Sequence, residues 1–364
     1  MNATATETAT EAGADSVIDS VIDSVTEIVL PGIVEPEGLE VRVRPAPEPA
    51  AGEVLLAVDA SGVSFAEQQM RRGKYYDQPA FPFVPGYDLV GTVLRVGPGG
   101  DAALVGRRFA ALTKVGGWAS LAVVSAADLV EVPEAIDPAE AETVVVNGIT
   151  AWQMLHRTAG IRRGQTILVH GANGGVGSTL VQLATHAGVR VIGTASPRHH
   201  DAVRALGAIP LDYRAADLPA EVRTHAPNGV DAVFDHVGGE GIVDSFGLLA
   251  RGGTLVSYGT AATKNASGSS RLPVLKLVAR LIWWNLLPNG RRTHFYNIWA
   301  GKRRPATFRA RLRADLSEVF ALLAAGTITA QVAARIPLGR AADALALAES
   351  GTVTGKVVLV PDTH

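Results

Sequence analysis

The amino-acid sequence predicts an α/β protein in which a doubly wound parallel sheet is joined to an antiparallel β domain. Three observations predict it. From Glu40 to about Val146, short alternating or β-branched runs are broken by proline and glycine, the texture of antiparallel strands. From about Thr150 to Thr260, strand-like runs alternate with helical ones, as βαβ units do. Beyond the helical stretch that follows, β texture returns in "RIPLGR" and "GKVVLV".

Taken in order, residues 1–25 open with Ala/Thr/Glu-rich low complexity and the repeat "SVIDSVIDSV", which has little to bury and is too short for a stable isolated helix. A tail is expected there. Strands are expected at "LEVRVRP", "EVLLAVDASGV", "LVGTVLRVGPG", "RRFAAL" and "LAVVSAADLVEVP". The parallel sheet is expected from "QTILVHG", "VRVIGTA", "AIPLDY", "VDAVFDHVG" and "GTLVSYG", with helices at 177–187, 199–206 and near 240–250. "LPVLKLVARLIWWNLLP" holds Lys276 and Arg280 within seventeen residues, too short and too charged for a membrane span. A buried or interface helix is expected, with contact at a membrane surface as the other option. Residues 307–325 place Phe308, Leu312, Val319 and Leu323 at core spacing.

Composition removes several chemistries. No cysteine is present among 364 residues, so disulfides, thiolate nucleophiles and Cys-containing zinc sites are excluded. The net charge of -2 gives no global reason to expect nucleic acid as a partner. Arg291 to Arg313 hold eight Lys/Arg and no acid, read as a solvated face. Arg42 is the first basic residue, so the start of the chain shows neither a secretory signal nor a transit peptide, and a cytoplasmic location is expected.

"VHGANGGVGS" carries the chemistry. A glycine cluster alone also suits a turn, but this one lies between a strand and a helix, and Ala172-x-Gly174-x-x-Gly177 fills the dinucleotide fingerprint spacing. The stretch Asn173, Gly174, Gly175, Val176, Gly177 is expected to receive a pyrophosphate at the helix N-terminus. An NAD site carries an acid about twenty residues on, whereas "VIGTASPRHH" has no carboxylate before Asp201. Ser196, Arg198 and His199 offer instead a hydroxyl, a fixed cation and an imidazole to a 2′-phosphate. NADPH is the expected cofactor.

Read together, "GVSFAEQQMRRGKYYDQPAFPFVPGYDLVGTVLRVG", "VVVNGITAWQML", "GQTILVHGANGGVGSTLVQLATHAG", "FDHVGG" and "GTVTGKVVLV" resemble, in order, the medium-chain dehydrogenase/reductase superfamily. The resemblance covers residues 30 to 361 and is greatest to the zinc-independent quinone oxidoreductase, or zeta-crystallin-like, branch. It implies a GroES-like β-barrel catalytic domain built from both chain ends, a Rossmann domain inserted between them, a cofactor cleft and a homodimer. The expected boundaries are catalytic domain 26–149 and 291–364 and NADPH-binding domain 150–290. Where zinc-dependent members have Gly-His-Glu this chain has "GYD", with Tyr87 in the imidazole's place, so no metal is expected.

The resemblance also implies site residues. Tyr75 matches a tyrosine proposed in related enoyl reductases to protonate an enolate, although a wall residue that only shapes the pocket fits the position equally. Tyr76, Tyr87 and Ser64 are expected in the acceptor pocket, Ser64 standing where many members have an asparagine. Asn147 and Thr150 match the hinge segment beside the nicotinamide. Tyr213 matches a tyrosine at the adenosine phosphate, and His199 falls where relatives place a lysine. Val237, Tyr258 and Gly259 are expected along the cofactor. The aromatic segment 272–299 is expected to supply an acceptor pocket, through Trp283 and Trp284, or a dimer contact. The implied activity is hydride transfer to a quinone or to the C=C bond of an enone or enoyl compound. A membrane- or partner-associated NADPH-binding protein with little activity is the alternative.

Overall fold

The computed structural model describes residues 23–263 and 271–362. Of the expected tail, residues 1–22 lie outside them. The tail ends earlier than expected, because Ser24 and Val25 begin β1 (Ser24–Val29), where Val25 is fully buried. β1 pairs antiparallel with β2 (Glu40–Pro45), and Glu27 on β1 holds Arg42 and Arg44 on β2.

β3 (Glu53–Val63) leads to α1 (Phe65–Arg71), which starts on a capping box: Ser64 accepts from the Ala66 N–H and Glu67 accepts from the Ser64 N–H. β4 (Asp88–Val96), β5 (Arg108–Leu112), β6 (Leu121–Ser125) and β7 (Val130–Glu131) complete the first part of the β domain, all antiparallel to their neighbours. α2 (Pro138–Thr143) follows, with Asp137 capping it and proline at its first position. α3 (Val145–Trp152) then crosses toward the second domain and widens into a π-helical turn at Gln153–Ala159, ended by Gly160 at φ 62°.

The second domain runs β8 (Thr166–His170), α4 (Gly175–His186), β9 (Arg190–Ala195), α5 (His200–Ala205), β10 (Ala208–Asp212), α6 (Leu218–His225), β11 (Val230–Asp235), α7 (Ile242–Gly247) and β12 (Leu249–Ser257). α8 (Arg271–Leu286) and β13 (Arg292–Phe295) follow. The sheet order is β10-β9-β8-β11-β12-β13, all parallel. This is the doubly wound arrangement, with its switch point between β8 and β11. β13 pairs with β12, so this sheet continues past the expected boundary at 290.

α9 (Pro305–Ala324) packs Val319 and Phe320 into the core that α3 and α4 share. Its Asp315 holds Gln153 at 2.7 Å and Arg157 at 2.8 Å. The chain then returns to the β domain. β14 (Val332–Pro337), α10 (Ala341–Glu349) and β15 (Lys356–Val360) form a crossover, so β14 and β15 run parallel in an otherwise antiparallel sheet ordered β14-β15-β3-β4-β5-β7.

Within the β domain a buried charge cluster joins β4, α2 and β15. Lys356 Nζ donates to Asp88 at 2.8 Å and Glu142 at 2.7 Å, and Asp88 also accepts from the Val146 N–H at 2.9 Å. Burial pulls the ammonium down, but the two carboxylates outweigh it and hold Lys356 above the ordinary lysine range. Gly355, next in the chain, donates its N–H to the Asn173 carbonyl at 3.0 Å and so reaches the glycine loop. Lys356→Met leaves both carboxylates uncompensated and is expected to cost about 3–5 kcal/mol in denaturant unfolding. The triple variant with Asp88→Asn and Glu142→Gln is expected to recover most of it.

Candidate active site

The cleft between the domains encloses about 420 Å³. Its floor is the glycine loop. β8 ends at His170, Gly171 turns the chain at φ 66°, and α4 begins after Gly174 with no side-chain cap. Its first N–H groups therefore have no side-chain acceptor and present the positive end of the helix dipole. A Cβ on Gly177 would lie 2.1 Å from the Gly171 carbonyl oxygen, so only glycine lets helix and loop come this close. A Cβ on Gly175 would press on the Asn147 amide at 2.5 Å, which places Asn147 against the loop.

The opposite wall comes from the β domain. Tyr75 and Tyr87 share a hydrogen bond of 2.9 Å between their phenol oxygens, and the Trp299 indole N–H donates to Tyr87 at 2.5 Å. Indole has no acceptor, so the Tyr87 oxygen accepts there and its own hydrogen is free to serve Tyr75. Tyr75 can then turn its proton to the cleft. Burial, followed by the neighbouring Tyr87, pushes the Tyr75 phenol far above its ordinary value, and burial raises Tyr87 and Tyr76 as well. All three rings stay protonated in neutral solution. Glu67 fixes Tyr87 from behind, accepting its backbone N–H at 2.6 Å.

Ser64, Tyr75, Tyr76, Tyr87, Asn147, Thr150, Asn173 to Gly177, Tyr258 and Gly259 all line this cleft. Ser196, Arg198, His199 and Tyr213 gather separately, at the carboxyl ends of β9 and β10. Ser196 Oγ is buried and meets no hydrogen-bond partner among the described residues. Arg198 donates to the Gly351 carbonyl and, through Nε, to His199 Nε2 at 3.2 Å. The other ring nitrogen of His199 then carries the hydrogen toward Thr354 Oγ1, 3.1 Å away. Tyr213 is half exposed with Arg214 over its ring. Val237 stands on the turn after β11, where Asp235 accepts the N–H groups of Val237 and Gly238.

Trp283 and Trp284 do not line the cleft as an acceptor pocket would require. Trp283 is exposed outside the cleft, and Trp284 stacks on Phe246 with ring centroids 4.2 Å apart. α8 turns these rings away, while Val274, Phe295, Tyr296 and Ile298 from the same region supply the apolar lining. Lys74, His236 and Lys356 also reach the cleft and were missed; a lysine between glycine and a valine run in "GKVVLV" was the available signal for a buried partner.

A family model described as alcohol dehydrogenase GroES-like domain matches residues 50–134, and one described as zinc-binding dehydrogenase matches residues 206–359. A synaptic vesicle membrane protein VAT-1 homolog from Rattus norvegicus is 33% identical over 347 residues, spanning 92% of this chain and 83% of the relative. The chain belongs to the medium-chain dehydrogenase/reductase superfamily, in its quinone oxidoreductase-like branch. Within this superfamily, mycobacterial Rv1454c, solved complexed with NADPH, matches with TM-score 0.79 and 30% identity, covering 93% of this chain and 100% of that one. A Pseudomonas syringae pv. tomato quinone oxidoreductase matches with TM-score 0.79 and 26% identity over 93% and 100%.

The residues present do not fit the zinc named in one model's description. Among the described residues no three His, Cys, Asp or Glu side chains gather as a metal site. At the turn itself stands a protonated phenol, Tyr87, already engaged by Tyr75 and Trp299.

Tyr87→Phe keeps the ring but removes the acceptor of the Trp299 indole. A loss of about 1–3 kcal/mol in denaturant unfolding is expected, the cost of an unsatisfied buried donor.

Proposed function

We propose that this chain is a metal-free, NADPH-dependent reductase acting on a quinone or on the C=C bond of an α,β-unsaturated carbonyl or enoyl compound. The observation that carries this reading is one cleft in which an uncapped helix N-terminus faces a chain of protonated phenols. Bound NADPH supplies a hydride to an electrophilic carbon or oxygen of the acceptor.

Asn173 to Gly177 receive the pyrophosphate through backbone N–H groups. Ser196 and Arg198 take the 2′-phosphate: the buried Ser196 hydroxyl awaits a partner, and Arg198 is the fixed cation beside it. His199 lies between Arg198 and Thr354 and braces the arginine at this end of the site. Tyr213 borders the adenosine end. Asn147, Thr150, Val237, Tyr258 and Gly259 border the nicotinamide end, and Ser64 and Tyr76 the acceptor.

Tyr75 donates to the oxygen on which charge develops. Its high pKa suits a donor that must stay protonated, and Tyr87 and Trp299 supply the hydrogen bonds that orient it.

NADPH consumption with a simple quinone or enone, in the presence of chelator, tests the reading. Tyr75→Phe is expected to lower kcat by about 10²-fold with little change in the KM for NADPH; a change under about twofold would make Tyr75 a wall residue only. Because Tyr75 sits far above the ordinary phenol value, kcat/KM should show no descending limb from this group below about pH 10. Arg198→Ala should weaken NADPH binding about tenfold or more, the loss of a hydrogen bond to a charged group, and leave NADH binding nearly unchanged.

A further inference from the structure

A second cavity, of about 290 Å³, shares no lining residue with the cleft. It lies between the β domain and the segment that enters α9. Tyr87 joins the two spaces: Trp299, in the lining of the second, donates to the Tyr87 phenol, and Thr113, also in that lining, donates its N–H to the Tyr87 carbonyl at 2.9 Å.

The lining divides by chemistry. Its buried members are apolar, Val124, Leu129 and Phe308 among them, and its cations, Lys302, Arg309 and Arg313, are more exposed. All three cations come from the basic run 291–313, which therefore does more than face solvent. Lys302 stands 4.8 Å from the centre of the Trp299 ring, a cation–π contact that holds the ammonium at the cavity. Arg309 is paired with Asp128 at 2.6 Å, and Arg313 donates to the Ala127 carbonyl at 3.2 Å. Asp128 is the one carboxylate in the lining. It is taken by Arg309, so Lys302 and Arg313 meet no carboxylate among the described residues.

We propose that this cavity is a second ligand site, for a small organic anion that carries a carboxylate on a compact apolar body. The volume falls at the low end of small-molecule sites, roughly 300–1,000 Å³, so the ligand is small. Lys302 and the planar fork of Arg313 take the carboxylate. Val124, Leu129 and Phe308 cover the apolar body, which removes its surface from water. Inorganic phosphate alone would satisfy the cations but leave that apolar surface unfilled. The site stands apart from the cofactor, so it binds with NADPH already in place.

Isothermal titration of 2-naphthoate into the NADPH-loaded full chain tests this, with uncharged 2-naphthamide and inorganic phosphate as comparison probes. Saturable binding of one naphthoate is expected, at least tenfold tighter than the amide and undisturbed by equimolar phosphate. Lys302→Glu/Arg313→Glu should weaken it about tenfold or more, the loss of hydrogen bonds to a charged group, with NADPH affinity unchanged. Val115→Trp, which fills the cavity without altering charge, should do the same; if it fails to fold, the charge variant decides. No binding to the NADPH-loaded protein, equal binding of the amide, or displacement by equimolar phosphate would overturn the proposal. Undiminished binding to the charge variant would also overturn it, by placing the naphthoate in the acceptor cleft.

Discussion

The contact among Lys356, Asp88 and Glu142 joins three parts of the chain that are far apart in sequence. Asp88 follows the tyrosine of the phenol chain, Val146 lies in the first turn of the helix that crosses to the second domain, and Lys356 follows the glycine that pairs with the dinucleotide loop. Removing a lysine and two carboxylates from water is costly, and such clusters seldom stabilise a protein more than a well-packed apolar core. Their value here is positional. One carboxylate fixes Tyr87 relative to the first turn of α3, and one backbone bond from Gly355 fixes both relative to Asn173.

The cleft inherits its chemistry from that placement. A helix start with free N–H groups favours anions on one side. Buried phenols, whose ionisation desolvation disfavours, supply neutral hydrogen-bond donors on the other. Under the proposed function, an acceptor held between them is activated by hydrogen bonds and by its own polarisation. Tyr296, which donates to Gln153 at 3.0 Å, ties the apolar end of the cleft to the π-helical turn that Asp315 also holds.

Local signals made much of this legible in the sequence. The glycine loop, its flanking strand and helix, and the absence of a carboxylate after β9 all lie within about thirty residues, where spacing alone fixes geometry. Tyr87 was readable because it departs from a three-residue pattern. The Lys356–Asp88 pair, 268 residues apart, was not, since one sequence carries no record of which distant charges meet. β13 was missed because "RTHF" is short and polar and offers little to a periodicity argument. Trp283 and Trp284 show the same limit differently: composition marked the segment as aromatic, but the direction of each ring depends on how α8 lies on the sheet.

The proposed function stands on metal-free hydride delivery from NADPH within this cleft. Reduction of an enone with NADPH deuterated at the transferable C4 position, under excess chelator, tests it directly. Product carrying one deuterium at the β-carbon, with unchanged yield after chelation, is expected. Unlabelled product, or loss of the labelled product on chelation, would contradict it.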